Sequence, residues 1–402
     1  MNPNLQSLFT IAQKRERNII GLMSGTSLDG LDVAYCKIAD SGINTKVTLV
    51  HFVTIPYDDD TKEAIRKVFA QKNIDFQHLA ILNEWIGLLH GKIVLDCLHQ
   101  WQLTSADVDL IASHGQTVMH APKSLHQQKN LPNATLQIGD GDHLAVTTQC
   151  ITVSDFRQKH LAAGGEGAPL AVYGDYFLFH STTENRILLN IGGIANFTVI
   201  PKSSSFDSIF VTDTGAGNTL MDAYTRQHFP NLGYDIDAAI AKKGSINHNL
   251  LKALKNNPFF TTSFPKSTGP ELFSKTYLEN ALQESNNLDL EVEDVLATLT
   301  RFSAETIAEA IIEVSQSTIN TNEATTIYIS GGGIHNPLLL QYLKELLPFP
   351  ITSTASLGIE GDAKEAILFA ILANETISGS LNNSKKNNNI PEISMGKISF
   401  PR

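Results

Sequence analysis

The 402-residue chain is poor in several features that would define its class. Its three cysteines, Cys36, Cys97 and Cys150, form an odd set without CxxC spacing. That argues against a disulfide framework and against a zinc site, and predicts buried, inert thiols. No apolar run approaches the roughly 18 residues that cross a bilayer, so no membrane association is expected. Charged residues are only 18% of the chain and sum to −11. Nucleic-acid binding runs on clustered Lys and Arg, so no nucleic-acid partner is expected and a polyanionic ligand would have to be held by local chemistry. The opening "MNPNLQSLFTIAQKRERNII" places its basic cluster after a short apolar stretch and lacks a small-residue cleavage site. It does not read as a secretory signal, and a cytoplasmic location is the expectation.

What is present is an alternation of strand-like and helix-like runs. The strand-like runs are "NIIGLM", "LDVAYCKI", "VTLVHFVTI", "VDLIASHG" and "CITVSDF"; the helical ones are "DDTKEAIRKVFA" and "ILNEWIGLLHGKIVLDCLHQW". The order indicates an α/β class with mixed sheets. A second series begins at "NRILLNIGGIANFTVI" (185–200) and continues through a helical "DVLATLTRFSAETIAEAIIEVSQ" to the strand "TTIYISGGG". Both series open with an apolar strand, a glycine turn and a second β-rich strand. With a length beyond the roughly 250 to 300 residues of a single core, this predicts two similar domains with a cleft between them. The polar stretch 378–394 reads as an exposed loop.

Three loops carry the candidate chemistry. In "SGTSLDG" (24–30), converging backbone N–H groups and hydroxyls have the composition of an anion cradle; an ordinary turn with Asx aspartates is the alternative. The stretch is neither GxxxxGK[ST] nor GxGxxG, so it is not a P-loop. "VTDTGAGNTLMDAY" (211–224) puts Gly215, Gly217 and Asn218 near a helix N-terminus, a second anion site by geometry. "IYISGGGIHNPLLLQYL" (327–343) is a strand, three glycines and an amphipathic helix, where a flat ring could approach the backbone.

Taken in order, "GLMSGTSLDGLD", "SHGQTVMH", "SDFRQKHLAAGGEGAPL", "NIGGIANFT", "DTGAGN", "KSTGPELF" and "SGGGIHNP" resemble the anhydro-N-acetylmuramic acid kinases of the actin, Hsp70 and sugar kinase superfamily. The resemblance runs from about residue 18 to about 375. It implies two RNase H-like (actin-like ATPase) domains, 1–186 and 187–402, with mixed sheets flanked by helices and an interdomain cleft. It implies ATP and Mg2+ as cofactors and an amino sugar as small-molecule substrate. Water would open the 1,6-anhydro ring at the anomeric carbon, and the freed 6-oxygen would take the γ-phosphoryl group, yielding N-acetylmuramic acid 6-phosphate in peptidoglycan recycling. A homodimer is compatible with the family. The alternatives are a superfamily kinase for another sugar and an ATP-switched, actin-like binding protein.

The same resemblance distributes roles. Gly25, Thr26, Ser27, Leu28, Asp29, Gly30, Leu31 and Asp32 would surround phosphate and metal in the first domain. Asn190, Gly192, Gly193, Asp213, Gly215, Gly217 and Asn218 would contribute phosphate contacts from the second, and Gly331, Gly332 and Gly333 would meet the adenosine. Asp29 would organise magnesium, with Asp32 as its neighbour, because Met23 stands where the superfamily carries an Asp. Asp155 ends an apolar strand and would be the general base; a helix N-cap is its alternative, and His160 occupies a position where family members often have a second Asp. His114, Gln116 and Thr117 would bond sugar hydroxyls, although a locally satisfied His114 fits as well. Glu166 would touch sugar or phosphate. Lys266, with Ser267 and Thr268, would face the lactyl carboxylate, and Pro270 replaces an Arg usual in relatives. Asp362 and Glu365 fall in the first turns of a helix, where Glu365 could contact sugar or only complement the dipole.

Overall fold

The computed structural model describes residues 2–168, 170–286, 289–358, 363–379 and 393–402. Asp362 and most of the polar stretch 378–394 lie outside the described residues. The chain divides into two compact units, 1–178 together with 362–402, and 179–361.

In the first unit the strands are β1 (Glu16–Ser24), β2 (Gly30–Ala39), β3 (Lys46–Pro56), β4 (Leu110–Ala121), β5 (Ala134–Ile138) and β6 (Thr152–Ser154). Strand β1 sits between an antiparallel β2 and a parallel β4, and is buried along almost its whole length. Its continuous apolar run "NIIGLM" is what a strand covered on both faces requires. β3 pairs antiparallel with β2 at the edge and alternates in exposure, while β6 continues the parallel side beyond β4 and β5 pairs with β4 off the main path. One face is closed by helix α1 (Phe76–Gln100), whose Ile86 and Val94 join Ile20, Leu22 and Val33 in the core. Asp75 caps that helix, accepting from the N–H groups of Gln77 and His78.

The second unit repeats the plan with β7 (Asn185–Ile191), β8 (Ile194–Ile200), β9 (Phe210–Ala216), β10 (Thr325–Ser330) and β11 (Ile351–Ser353), in the order β11-β10-β7-β8-β9. Again the first three strands form an antiparallel meander, and the fourth and fifth add in parallel beside the first. This is the RNase H-like strand order 3-2-1-4-5, present once in each unit. The repeat read in the sequence is therefore a repeat of topology. Ile307 and Ile311, from the helix Val292–Thr318, pack on Ile187, Leu189 and Phe197 beneath this sheet.

The units depart from the expected domains in two places: residues 179–186, expected in the first domain, fall in the second unit. The described residues 363–379 and 393–402, assigned from sequence to the second domain, fall in the first unit. Helix Lys364–Ser378 lies on β1, β2 and β4, and strand β12 (Lys397–Ser399) pairs antiparallel with β6. Gly21 makes the docking possible: a Cβ there would overlap the carbonyl of Ala366. All three cysteines are free and buried, with burial pushing Cys36 up to about 12 and Cys97 and Cys150 to about 11, as inert thiols require.

Candidate active site

The turn between β1 and β2 presents its small polar groups and buries its apolar ones. Thr26, Ser27 and Asp29 are exposed, with the Ser27 hydroxyl donating to Asp29 Oδ1 at 2.7 Å. Leu28 takes a left-handed conformation (φ 58°) that drops its side chain into the core, where Leu31 also lies. Both leucines, expected among the ligand contacts, instead anchor the loop. Asp32 accepts from the Thr54 hydroxyl at 2.6 Å.

Beneath this loop Gln116 is fully buried. Its Nε2 donates to the carbonyls of Gly25 and Thr117, both at 3.1 Å, and its Oε1 accepts from Ser24 Oγ at 2.6 Å. Gln116 therefore holds the loop; its amide is not offered to a sugar. Thr117 Oγ1 accepts from Gln137 Nε2 at 3.2 Å.

His114 is locally satisfied, the alternative left open by its sequence position. Its Nδ1 lies 2.9 Å from the Gly115 carbonyl, so it carries the proton, and Nε2 accepts from Arg157 Nε at 2.9 Å. Burial, reinforced by the adjacent guanidinium, pushes His114 down to about 3. Arg157 also donates through Nη1 to the Gly167 carbonyl at 2.8 Å.

Asp155 directly follows β6 in a left-handed conformation (φ 57°). It heads the helix Phe156–Ala162 but makes no side-chain cap bond, so a capping role is not what the geometry provides. Its carboxylate instead pairs with Lys397 Nζ at 2.8 Å. His160, one turn further along, is buried, and its Nδ1 accepts from the Gly167 N–H at 3.0 Å. Its ring lies where a Cβ on Gly165 would be. Burial and the Arg157 charge push it down to about 4. A neutral imidazole whose basic nitrogen is already hydrogen-bonded is not available as a base. Glu166 is exposed on the loop that His160 anchors. Glu365, in the first turn of its helix, is exposed and has Arg157 and Asp32 as charged neighbours.

In the second unit the N–H groups of Gly217 and Thr219 donate to the Gly193 carbonyl, and that of Asn218 to the Gly192 carbonyl, at 2.8 to 3.1 Å. The Gly217 and Asn218 donors, expected to face an anion at the head of helix Thr219–His228, are instead bonded to the β7–β8 turn. Asn218 Nδ2 donates to the Ile191 carbonyl, and Asn190 Oδ1 accepts from Ser330 Oγ at 3.5 Å. Of the glycine triplet, Gly331 (φ 84°) and Gly333 are required by their own surroundings, since a Cβ on either would strike Asn190 or Ile191; Gly332 has room.

Asp213 Oδ2 accepts from the Thr268 N–H at 2.8 Å, and burial pushes its carboxyl upward. Ser267 is exposed beside it. Gly215, with a φ of 135°, stands on β9 against Phe260 and Phe273. Lys266 corrects an expectation. Its ammonium is turned inward, donating to the carbonyls of Phe259 and Phe260 at 3.1 and 3.4 Å and lying 4.3 Å from the centre of the Phe264 ring. Such a lysine binds its own loop, not a carboxylate of a ligand.

The family model described as Anhydro-N-acetylmuramic acid kinase matches residues 17–394. The anhydro-N-acetylmuramic acid kinase of Pseudoalteromonas atlantica is 53% identical over 404 residues, covering 100% of both chains. That of Caldanaerobacter subterraneus is 36% identical, covering 98% of this chain and 100% of its own. The chain belongs to the anhydro-N-acetylmuramic acid kinase family. Among solved structures it is similar to an activator of 2-hydroxyisocaproyl-CoA dehydratase from Clostridium difficile with bound ADPNP (TM-score 0.38, 10% identity, 90% of this chain and 95% of that one). It is also similar to a ROK family protein from Streptococcus pneumoniae in complex with sucrose (TM-score 0.33, 12% identity, 89% and 99%).

For a kinase of this family the oxygen ligands near the first loop suit a hard divalent cation. Asp29 lies in the turn and Asp32 in β2, and among the described residues the only trio of carboxylate, imidazole or thiol ligand atoms lying within 4.8 Å of one another is Glu84, Asp140 and His143, away from that turn in the sequence. Magnesium commonly relies on one or two carboxylates plus substrate phosphates, a donor set with which the exposed Asp29 is compatible. Arg157 escaped the sequence reading. Its signal was a cation two residues after the candidate base, followed closely by Lys159 and His160.

Proposed function

We propose that the chain is an ATP-dependent kinase that hydrolytically opens 1,6-anhydro-N-acetylmuramic acid and phosphorylates it to N-acetylmuramic acid 6-phosphate. The observation that carries this reading is the family match over residues 17–394, within which the exposed hydroxyls and carboxylate of 26–29 stand on a loop fastened from below. Thr26, Ser27 and the backbone of 25–30 bind phosphate oxygens of ATP, and Asp29 holds magnesium. That ion, when bound, offsets charge on the phosphate oxygens. Within the second unit, Asp213, Asn190 and the N–H groups of Gly192 and Gly193 are the candidate nucleotide contacts, with Gly332 as the open glycine.

Asp155 takes the proton of a water whose oxygen bonds to the anomeric carbon as the bond from that carbon to the 6-oxygen breaks. The released 6-oxygen bonds to the γ-phosphorus, and ADP leaves. For this the Lys397 ion pair opens, freeing a carboxylate oxygen to face water. Arg157, fixed by His114 and Gly167, keeps a positive charge beside Glu365 and supports sugar contacts from that carboxylate. We place the reaction in the cytoplasm, where ATP is available, and include a homodimer as compatible with the family.

The test is to incubate the protein with magnesium ATP and the anhydro sugar and weigh the product. Gain of one water and one phosphoryl group together is expected. Phosphorylation with the anhydro ring intact, or turnover only with reducing sugars, overturns the reading.

A further inference from the structure

The loop of residues 25–30 is short of its own internal hydrogen bonds, which raises the question of what holds it. Its two ends meet at one buried hydroxyl. Ser24 Oγ lies 2.6 Å from Gln116 Oε1 and 3.2 Å from the Gly30 carbonyl, while the other end of the Gln116 amide holds the Gly25 carbonyl. Behind Ser24 stand Tyr57, whose hydroxyl is 2.9 Å from Ser24 Oγ, and His90, whose Nε2 is 2.8 Å from the Tyr57 hydroxyl. All four side chains are buried, none more than 4% exposed.

The direction of every bond in this chain follows from one end. Gln116 Nε2 faces two carbonyls, so it is the NH2 group and Oε1 faces Ser24. Ser24 must then donate to Oε1, which leaves its oxygen to accept from Tyr57. The single Tyr57 proton is thereby placed, and Tyr57 must accept from His90. His90 is therefore the Nε2–H tautomer with a bare Nδ1, and that atom is the one left buried without a partner. Burial holds the ring neutral, pushing His90 down to about 4, so the donor keeps one tautomer through neutral pH.

We infer that Tyr57 and His90 are positioning residues for the nucleotide phosphate loop: through Ser24 and Gln116 they hold the loop's two ends in the register that binds the triphosphate. The inference rests on the reading of 25–30 as the phosphate loop. His90 lies on α1 and Tyr57 directly after β3, so the loop is tied to elements outside itself. Without the Tyr57 hydroxyl, Ser24 Oγ loses its donor and is free to turn to the Gly30 carbonyl. The Gln116 amide then loses the contact that sets its plane.

The test is steady-state kinetics of Tyr57→Phe and Gln116→Glu in the full chain, varying ATP and anhydro sugar separately. A misplacement of about 1 Å costs on the order of 100-fold in positioned chemistry, so kcat/KM for ATP should fall by about tenfold or more, mainly through KM. KM for the sugar should stay within about twofold. Gln116→Glu keeps the acceptor for Ser24 and loses the donor to Gly25, and should show the same split. A variant that merely folds less well lowers kcat through the active fraction and moves neither KM, which would overturn the inference. Thr26→Val and Asp29→Asn separate the two claims. If these raise KM for ATP while Tyr57→Phe and Gln116→Glu do not, the loop reading stands and the positioning chain falls. If none of the four changes the ATP parameters, the loop reading falls and takes the inference with it.

Discussion

His160 offers a clean separation between a catalytic and a structural histidine. In the fold it is held at about 4 by burial and by Arg157, against 6.5 for an ordinary imidazole. A base with a depressed folded-state value contributes stability that is complete above its unfolded value and is lost as pH falls from 6.5 toward 4, because only the unfolded chain accepts the proton. Between about pH 7.5 and about pH 5.5 that loss is about 1.3 kcal/mol for this one ring. Replacing His160 by Asn keeps an acceptor for the Gly167 N–H and removes the titration. Replacing it by Ala leaves that N–H unsatisfied, at about 1 to 3 kcal/mol. Urea unfolding of the wild type and both variants at the two pH values measures all of this. His160→Asn should show a pH dependence smaller than wild type by about 1.3 kcal/mol, with kcat within about tenfold. A pH dependence equal to wild type, or loss of turnover on the scale of removing a base, would refute the structural role.

Two further predictions test other parts of the site. Lys266→Met should cost about 2 kcal/mol, as charge-assisted bonds to part-buried carbonyls are lost, while KM for the sugar stays within about twofold; a large rise in that KM would return Lys266 to the ligand. Arg157→Met removes a charge that lowers both His114 and His160, so the imidazole titrations followed by NMR should move upward in the variant; unchanged midpoints would mean burial alone sets them.

Much of the fold was legible because its signals are local. "NIIGLM" and "LDVAYCKI" flank a turn rich in glycine and short polar residues, and the same grammar recurs at 185–200. The run 294–316 has helical periodicity, and the helix spans Val292–Thr318. Other features depend on partners far away in sequence. Nothing within 362–402 announces that β12 will pair with β6, or that the helix from Lys364 will sit on the backbone of Gly21. Lys266 in a polar loop reads as a ligand cation until Phe259 and Phe264 are seen around it. Gly217, Gly331 and Gly333 read as ligand-facing, yet Gly217 donates to Gly193 and the other two lie against Asn190 and Ile191. Gln116 misled in the same way, since a polar side chain near a candidate site can serve the loop instead of the ligand.

The assignment of Asp155 is tested most directly by sugar-dependent ADP release in Asp155→Asn, measured beside wild type with the sugar in excess. The variant should bind ATP and sugar with near-normal KM values while turnover falls by at least about a hundredfold, the lower range for a general base. Turnover equal to wild type, with the same ring-opened phosphorylated product, would contradict it.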